Sequence, residues 1–296
     1  MSPGGGERKA PHLSVAPGRR LRLWSTTPVG RSTFLAASPL VALLWPLAAR
    51  AGETPCWYEA GVVVVPAEVA GVAGDYVLDT GAPATLLNET QAQGAGFVET
   101  QLKAGVRLAG LTLSDRAVAV TKLDARFKEL PTPVAGVIGA DLLRELVTDV
   151  RFTPCRVGLW PPGAEPPFPA GPALALEWRD GRPTAHAAVA DDKLAFSGAF
   201  SLSTGSDTAV RLRDDLAAVP GAASRDDLYP YGRLRARLRA LSFADELIEK
   251  PRAGLVAAPF GPEGEIGAPA LSRFRLRFDF PARRLRLAKE KTPTDR

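Results

Sequence analysis

The chain has 296 residues, of which 46% are hydrophobic and 23% charged, a composition that excludes collagen, coiled coils and extensive disorder. Glycine and proline are abundant, at 28 and 27 residues, which is typical of a turn-rich, mainly β protein. The formal net charge is +5, but residues 1–51 hold seven basic residues and one acid, so the remaining chain carries −1. A nearly neutral body gives no basis for nucleic-acid binding.

The first 51 residues have the pattern of a targeting segment. A basic stretch, Arg19–Arg22, precedes an apolar run from Phe34 to Ala49, and Ala49-Arg50-Ala51 matches a small-x-small cleavage site. The pattern predicts an exported protein, periplasmic or secreted, whose leader is cleaved near Ala51. The alternative is an uncleaved leader that contacts the membrane, which the shortness of the run and its two prolines disfavour.

The mature chain contains two cysteines, Cys56 and Cys155. An oxidising compartment outside the cytoplasm permits a disulfide, so we predict that they pair. Two free thiols are the alternative, because sequence alone does not fix the distance between them.

A Pro- and Gly-rich linker, residues 161–172, divides the mature chain into halves 52–160 and 173–290. In the first half, the β-branched run Val62–Val65 predicts a strand, and a strand ending at Leu78 leads into Asp79-Thr80-Gly81. Val134–Gly139 precedes a short helical segment.

The second half repeats this plan. Phe200–Ser206 aligns with Tyr76–Ala82, and Glu265–Ala268 aligns with Val137–Ala140. Two matches in the same order, at similar separation, indicate an internal duplication.

The segments Leu78–Ala82 and Val137–Gly139 resemble the aspartic proteases, closely over residues 57–160 and more loosely over 173–288. The resemblance implies a mainly β, two-lobed acid-protease fold with closed, barrel-like lobes and an active site in the cleft between them. It implies that Asp79 is the catalytic carboxylate, that Thr80 locks the loop by a hydroxyl–backbone hydrogen bond, and that Gly81 permits its sharp turn.

The second loop departs from this family, because Ser203-Thr204-Gly205 carries serine where an aspartate is expected. Peptide hydrolysis by this route needs two carboxylates that share one proton, and a serine hydroxyl cannot raise its neighbour's pKa by charge repulsion. Four alternatives follow: two chains bring two Asp79 residues together, Asp207 replaces the missing carboxylate, the cleft binds peptides without cleaving them, or Asp79 acts alone.

We therefore predict an aspartic-type peptidase that hydrolyses extended peptides through a water activated at Asp79. The alternative is a non-catalytic peptide- or protein-binding module on the same fold. The expected partner is a peptide or protein; an oligomer is not indicated. By position, the Lys103–Asp115 hairpin is the candidate flap over the cleft.

Other chemistries find little support. His186 is the single histidine of the mature chain and lies in a predicted strand, so a Ser-His-Asp triad is disfavoured. We predict no metal site and no cofactor, because ligand clusters and nucleotide-binding loops are absent from the sequence.

Arginines recur with period two in the second half, which places each set on one face of a strand. We interpret these faces as solvated; the alternative is a surface for an acidic partner. The two sets are Arg233, Arg235, Arg237 and Arg239, and Arg273, Arg275 and Arg277.

Overall fold

The computed structural model describes residues 52–191, 194–214, 237–257 and 259–289. The predicted leader, with its cleavage site at Ala51, lies outside the described residues, as do Arg233 and Arg235. None of the helices in the described ranges is long and apolar enough to cross a membrane.

Short strands dominate the described chain, and three short helices interrupt them. The elements in chain order are β1 (Gly52–Pro55), β2 (Trp57–Glu59), β3 (Val62–Val69), β4 (Val72–Leu78), β5 (Leu86–Asn88), α1 (Glu89–Gly94), β6 (Gln101–Leu108), β7 (Leu111–Thr121), β8 (Gly136–Ile138), α2 (Ala140–Leu143), β9 (Val147–Phe152), β10 (Cys155–Trp160), β11 (Ala173–Ala175), β12 (Glu177–Arg179), β13 (Arg182–Asp191), β14 (Leu194–Ser203), β15 (Val210–Arg213), β16 (Ala240–Phe243), β17 (Glu246–Glu249), β18 (Ala253–Val256), β19 (Gly264–Gly267), α3 (Ala268–Leu271), β20 (Phe274–Asp279) and β21 (Arg284–Lys289).

The first lobe is a sheet with the order β2-β3-β4-β8-β5-β7-β6, and an additional pairing of β3 with β6 closes six of its strands into a ring. Strand β4 begins exposed and ends in three fully buried residues, Tyr76, Val77 and Leu78. Because the apolar residues at the end of β4 anchor it in the core, the loop that begins with Asp79 starts from a fixed point.

The second lobe is a sheet with the order β17-β16-β13-β14-β19-β15-β18, and β12 also pairs with β13. Its central pairings repeat those of the first lobe. Strand β19 runs parallel to β14 as β8 runs parallel to β4, and Leu202 pairs with Ile266 as Leu78 pairs with Ile138. Among the described residues this sheet follows an open path, so the two lobes share a plan but differ in closure.

A third sheet, with the order β1-β10-β9-β20-β21-β11, joins the two lobes. Its central pair is β9 from the first half and β20 from the second. Across this pair, Arg277 donates from Nε and Nη2 to the two carboxylate oxygens of Asp149 at 2.6 and 2.8 Å. Both residues are buried, so the prediction of a solvated arginine face is wrong at Arg277. Removal of both groups from water requires that they satisfy each other.

The disulfide predicted from the sequence is present. Cys56 and Cys155 are bonded, and the backbone N–H of Cys56 donates to the carbonyl of Cys155. The bond therefore ties the start of the first lobe to β10 in the sheet that joins the lobes.

Candidate functional site

Two loops face each other where β4 and β14 end. Thr80 Oγ1 donates to the carbonyl of Leu202 at 2.7 Å, and Thr204 Oγ1 donates to the carbonyl of Leu78 at 2.6 Å. Each hydroxyl also accepts from the backbone N–H of the opposite threonine, at 3.2 and 3.3 Å. Both threonine side chains are fully buried, so this reciprocal set of four bonds fixes the two loops against each other.

Glycines allow the loops to approach. A Cβ atom added at Gly81 would lie 2.6 Å from the Cβ of Ser203, and one added at Gly205 would lie 2.5 Å from the Cβ of Asp79. Such distances are well inside van der Waals contact, so any side chain at either glycine would push the loops apart.

The carboxylate of Asp79 is 2% exposed and has three hydrogen-bond donors around it. Its Oδ1 accepts from the Ser203 hydroxyl at 2.7 Å and from the Gly81 N–H at 2.9 Å. Its Oδ2 accepts from Arg126 Nη2 at 3.0 Å. Ser203 therefore occupies the position opposite Asp79, and a guanidinium binds the remaining oxygen.

Arg126 comes from the segment between β7 and β8, which folds over the first lobe. Asp124 anchors this segment, because its carboxylate accepts from Asn88 Nδ2 at 2.6 Å and from Thr90 Oγ1 at 2.9 Å. These two bonds hold the pKa of Asp124 below its usual value. Beside Arg126, the Phe127 ring lies 4.8 Å from the guanidinium carbon. No motif marks Arg126 in the sequence, so sequence reasoning missed it.

The second lobe contributes a second carboxyl group, Glu265. In β19, Ile266 is buried in the core, as is its partner Leu202 in β14. Because side chains alternate along a strand, Glu265 faces the same side of the sheet as Ser203. Burial raises the pKa of Glu265, and the charge of Asp79 raises it further, while Ser206, Arg211 and Arg126 oppose the rise.

Sequence reasoning also passed over Glu265, although a signal was available. The aligned position in the first repeat is Val137, a fully buried residue. A glutamate at a position that the other repeat fills with a buried valine is unusual, since a buried carboxyl requires partners. The side chain is 13% exposed, and its Oε1 lies 3.7 Å from Arg211 Nη1.

Asp207 does not replace the missing aspartate. Its Oδ1 accepts from Arg211 Nη2 at 2.6 Å and from Thr208 Oγ1 at 3.0 Å, and its side chain is 56% exposed. The prediction that Asp207 is the substitute carboxylate is therefore wrong in this structure, because the side chain turns to Arg211 rather than to Asp79.

The Lys103–Asp115 hairpin lies in the wall of the first lobe. Its strand β6 pairs with β3, with Ala67 opposite Leu108, and its strand β7 pairs with β5. The side chain that covers Asp79 belongs instead to Arg126, so the flap prediction is wrong. His186 lies in β13 opposite Ala199 and is not a partner of Asp79.

Both lobes line a cavity of about 90 Å³ beside Arg126. Phe127 and Leu130 contribute from the first lobe, and Gly205, Asp207 and Arg211 from the second. Leu130 also borders a neighbouring cavity of about 230 Å³ next to Trp57. Within the described part of the chain, no group of three or more His, Cys, Asp or Glu residues is arranged to hold a metal ion.

Comparison with known proteins places this geometry in context. No family model matches the sequence, and no curated protein matches it. Among solved structures, the aspartic proteinase from Irpex lacteus is similar, with a TM-score of 0.50 and 14% sequence identity. The match covers 83% of this chain and 99% of that one. The predicted fold class is thereby confirmed: the chain has the mainly β, two-lobed fold of the aspartic proteinases.

Proposed function

We propose that the cleft between the two lobes binds an extended peptide or protein segment without hydrolysing it through a shared-proton pair of carboxylates. The hydrogen-bond partners of Asp79 are the observation that supports this proposal. Its two oxygens accept bonds from Ser203, Gly81 and Arg126, and within the described ranges no second carboxyl group is bonded to it.

The chemistry of these partners argues against the conventional reaction. Hydrolysis by a carboxylate pair needs one ionised and one protonated group on the same water molecule. The Ser203 hydroxyl is neutral, and the Arg126 guanidinium stays protonated, so neither group takes a proton from water.

The surroundings of Asp79 remain suited to a peptide. Two neighbouring cavities share Leu130 and extend from Arg211 of the second lobe to the half-exposed Trp57 of the first. Both apolar and polar side chains line these cavities, and ligand-binding clefts combine the two. The likeness to a proteinase fold supports a peptide as the class of ligand.

A cleavage and retention experiment tests the proposal. The full chain is incubated with a complex peptide mixture between about pH 3 and about pH 8, and products are identified by mass spectrometry. We expect no cleavage above that of Asp79→Asn, and retention of a subset of peptides on the immobilised chain.

Leu130→Arg should abolish retention because it fills the path between the cavities. Leu247→Arg, at an exposed leucine of β17, is the matched control and should retain the same peptides. Cleavage that Asp79→Asn removes would contradict the proposal.

A second candidate function is hydrolysis in which Asp79 activates the water and Glu265 holds the second proton. The observation that favours it is the raised pKa of Glu265, to which the charge of Asp79 contributes. Repulsion between the like charges of two carboxylates is the electrostatic condition for a shared proton. The same assay decides: this candidate requires cleavage that both Asp79→Asn and Glu265→Gln abolish.

We also propose that the protein acts outside the cytoplasm. The Cys56–Cys155 disulfide supports this, since such bonds persist mainly in oxidising compartments. Sequencing the N-terminus of the protein recovered from the periplasm or the medium should give Gly52 as the first residue. A chain recovered intact in the cytoplasm would contradict the proposal.

A further inference from the structure

We propose that Asp79 and Glu265 together form a site for the cationic side chain of an arginine or lysine in the bound peptide, and that Arg126 occupies this site when the cleft is empty. The inference rests on the proposed peptide binding and names the class of peptide.

The two carboxyl groups come from different lobes and face one space. Asp79 ends β4 and is bonded to Ser203, while Glu265 is the diagonal neighbour of Ser203 across the β14–β19 pair. The charge of Arg126 acts on Glu265 as well as on Asp79. A single guanidinium therefore already lies within the field of both carboxyl groups.

Arg126 has the features of a displaceable occupant. Its side chain is 44% exposed, and one nitrogen–oxygen contact of 3.0 Å holds it to Asp79. The buried pair of Arg277 with Asp149 differs in both respects, because two nitrogens donate and the arginine side chain is 5% exposed. The Arg126 guanidinium can return to water because it is half-exposed, whereas Asp79, with a side chain that is 3% exposed, needs a cation in its place, so exchange for a ligand cation is favoured over simple loss of Arg126.

The charges around the site favour a cation as its replacement. Asp207 holds the nearer nitrogen of Arg211 at 2.6 Å, while Glu265 lies 3.7 Å from the other. When Arg126 moves aside, the cation that remains next to Glu265 in the described part of the chain is Arg211, and Arg211 is shared with Asp207. Like charges in a poorly solvated place are unfavourable unless a cation joins them.

A buried hydroxyl adds an acceptor to the same place. Ser206 is 2% exposed, and among the residues described its Oγ has no hydrogen-bond partner of ordinary geometry, although the hydroxyl lies close enough to act on the Glu265 carboxyl. An arginine side chain carries five N–H donors, so it can satisfy this oxygen together with the carboxylates. The cavity of about 90 Å³ is lined by Arg126 and Arg211, the arginines that contact Asp79 and Glu265, so a side chain that enters it comes next to both ion pairs.

A paired-peptide binding experiment tests the inference. Fluorescence polarisation is measured for the full chain with a retained peptide that carries arginine and with the same peptide carrying norleucine there. An internal competitor lowers the apparent affinity of a ligand, so Arg126→Gln should bind the arginine peptide roughly fivefold or more tightly than wild type. The norleucine peptide should gain no such advantage, and Glu265→Gln should reduce the preference for arginine.

Lys122→Gln is the control for the loss of one positive charge from the same segment, since Lys122 is 85% exposed and pairs with Glu89. It should leave both affinities unchanged. The inference is overturned if Arg126→Gln changes both peptides equally, or weakens the arginine peptide.

A second readout does not depend on peptide binding. N-acetyl-arginine amide should raise the melting temperature of Arg126→Gln more than that of wild type. If no peptide binds but this compound stabilises the variant, the proposed function fails and the cation site stands. If peptides bind and the compound has no such effect, the cation site is overturned while peptide binding stands.

Discussion

The Glu265 carboxyl group is placed where its ionised form is unfavourable. Its main-chain neighbours in β14 and β15 are Ser201 and Arg211, and its side chain is largely removed from water. Burial makes the largest contribution to the raised pKa of Glu265, and the charge of Asp79 makes the second largest. The native fold therefore favours the neutral form of Glu265 more than the unfolded chain does.

This residue predicts a pH dependence of stability. In the unfolded chain Glu265 loses its proton near 4.5, whereas the folded chain keeps it to a higher pH. The native state then holds more protons, so the free energy of unfolding falls as pH rises above 4.5. Glu265→Gln lacks this loss, and urea unfolding should show its stability relative to wild type increasing between about pH 4 and about pH 7. Glu249→Gln, at an exposed glutamate, is the control; a constant difference for Glu265→Gln would contradict the prediction.

Gly205 gives a second test at this scale. An alanine methyl group there would lie 2.5 Å from the Asp79 Cβ, so Gly205→Ala should separate the loops and cost about 1–3 kcal/mol of unfolding free energy. Gly94→Ala is the matched control, because a Cβ at Gly94 meets nothing within 4 Å. Chemical denaturation of both variants measures the effect. Equal stabilities would show that the close approach of the loops is not needed for folding.

Some site residues are positioned by a local sequence motif, whereas others are positioned by contacts with residues that are distant in sequence. Asp79 and Ser203 were predictable because each follows a strand within a repeated motif, and the repeat aligns them. Arg126 was not, since its position depends on Asp124, Asn88 and the packing of a long segment with no motif. Asp207 was predicted wrongly because proximity in sequence does not reveal its pairing with Arg211.

Among the elements, the segment between β7 and β8 makes the two lobes different. Its apolar residues Leu123, Phe127 and Val134 pack with Val62 and Val137 on the cleft side of the first lobe. At the position equivalent to Val137, the second lobe has Glu265. One wall of the cleft is therefore apolar and covered, whereas the opposite wall presents carboxyl and hydroxyl groups.

The disulfide constrains elements at the edge of the first lobe. Cys56 lies between β1 and β2, and Cys155 begins β10, with a sequence separation of 99. Because the bond closes a long loop of the unfolded chain, replacing both cysteines with serine should lower the free energy of unfolding by about 2–5 kcal/mol. Urea unfolding of the oxidised wild type and of the double variant measures this. An unchanged midpoint would contradict the prediction.

Across the whole molecule, the six-stranded sheet couples the lobes. Three strands of each half meet at the β9–β20 pair, which carries buried apolar side chains such as Val150, Leu276 and Phe278, and the Asp149–Arg277 pair lies among them. Phe168 of the predicted linker covers this pair, since its ring lies 4.8 Å from the Arg277 guanidinium carbon. The linker therefore contributes to the packing of the sheet as well as connecting the halves.

The buried pair predicts a strong dependence of each residue on the other. Arg277→Met alone should destabilise the protein by about 3–5 kcal/mol, because it removes the two short hydrogen bonds to the buried Asp149 carboxylate and leaves it the longer contact with Arg275 Nη2 at 3.3 Å. The double variant Asp149→Leu/Arg277→Met should recover most of this loss, since both deeply buried charges are gone and Arg275, which also contacts Asp149, is 24% exposed. A double-mutant cycle of unfolding free energies measures the coupling. Additive effects would show that the pair is not coupled.

The two-lobed architecture could be predicted from the sequence, whereas the closure of each sheet and the role of individual arginines could not. The aligned motifs predicted two similar β lobes, because strand order follows from repeated segments that pair in the same way. The open path of the second sheet and the role of Arg277 depend on contacts between strands distant in sequence. A period-two arginine pattern fits a solvated face and a buried ion pair equally well until the neighbouring strand is known.

The pairing of Asp149 with Arg277 also affects how two identical halves of the chain could associate. The spacing that aligns Ile138 with Ile266 aligns Asp149 with Arg277, so these residues are counterparts that face each other across the central strand pair. A symmetric assembly of identical subunits sets a residue on the axis against its own copy. Two copies of the first half would bring together two carboxylates here, and two copies of the second half would bring together two guanidiniums. At this strand pair each half is therefore complementary to the other, and a dimer that brought two Asp79 residues together through the same pairing would bury like charges.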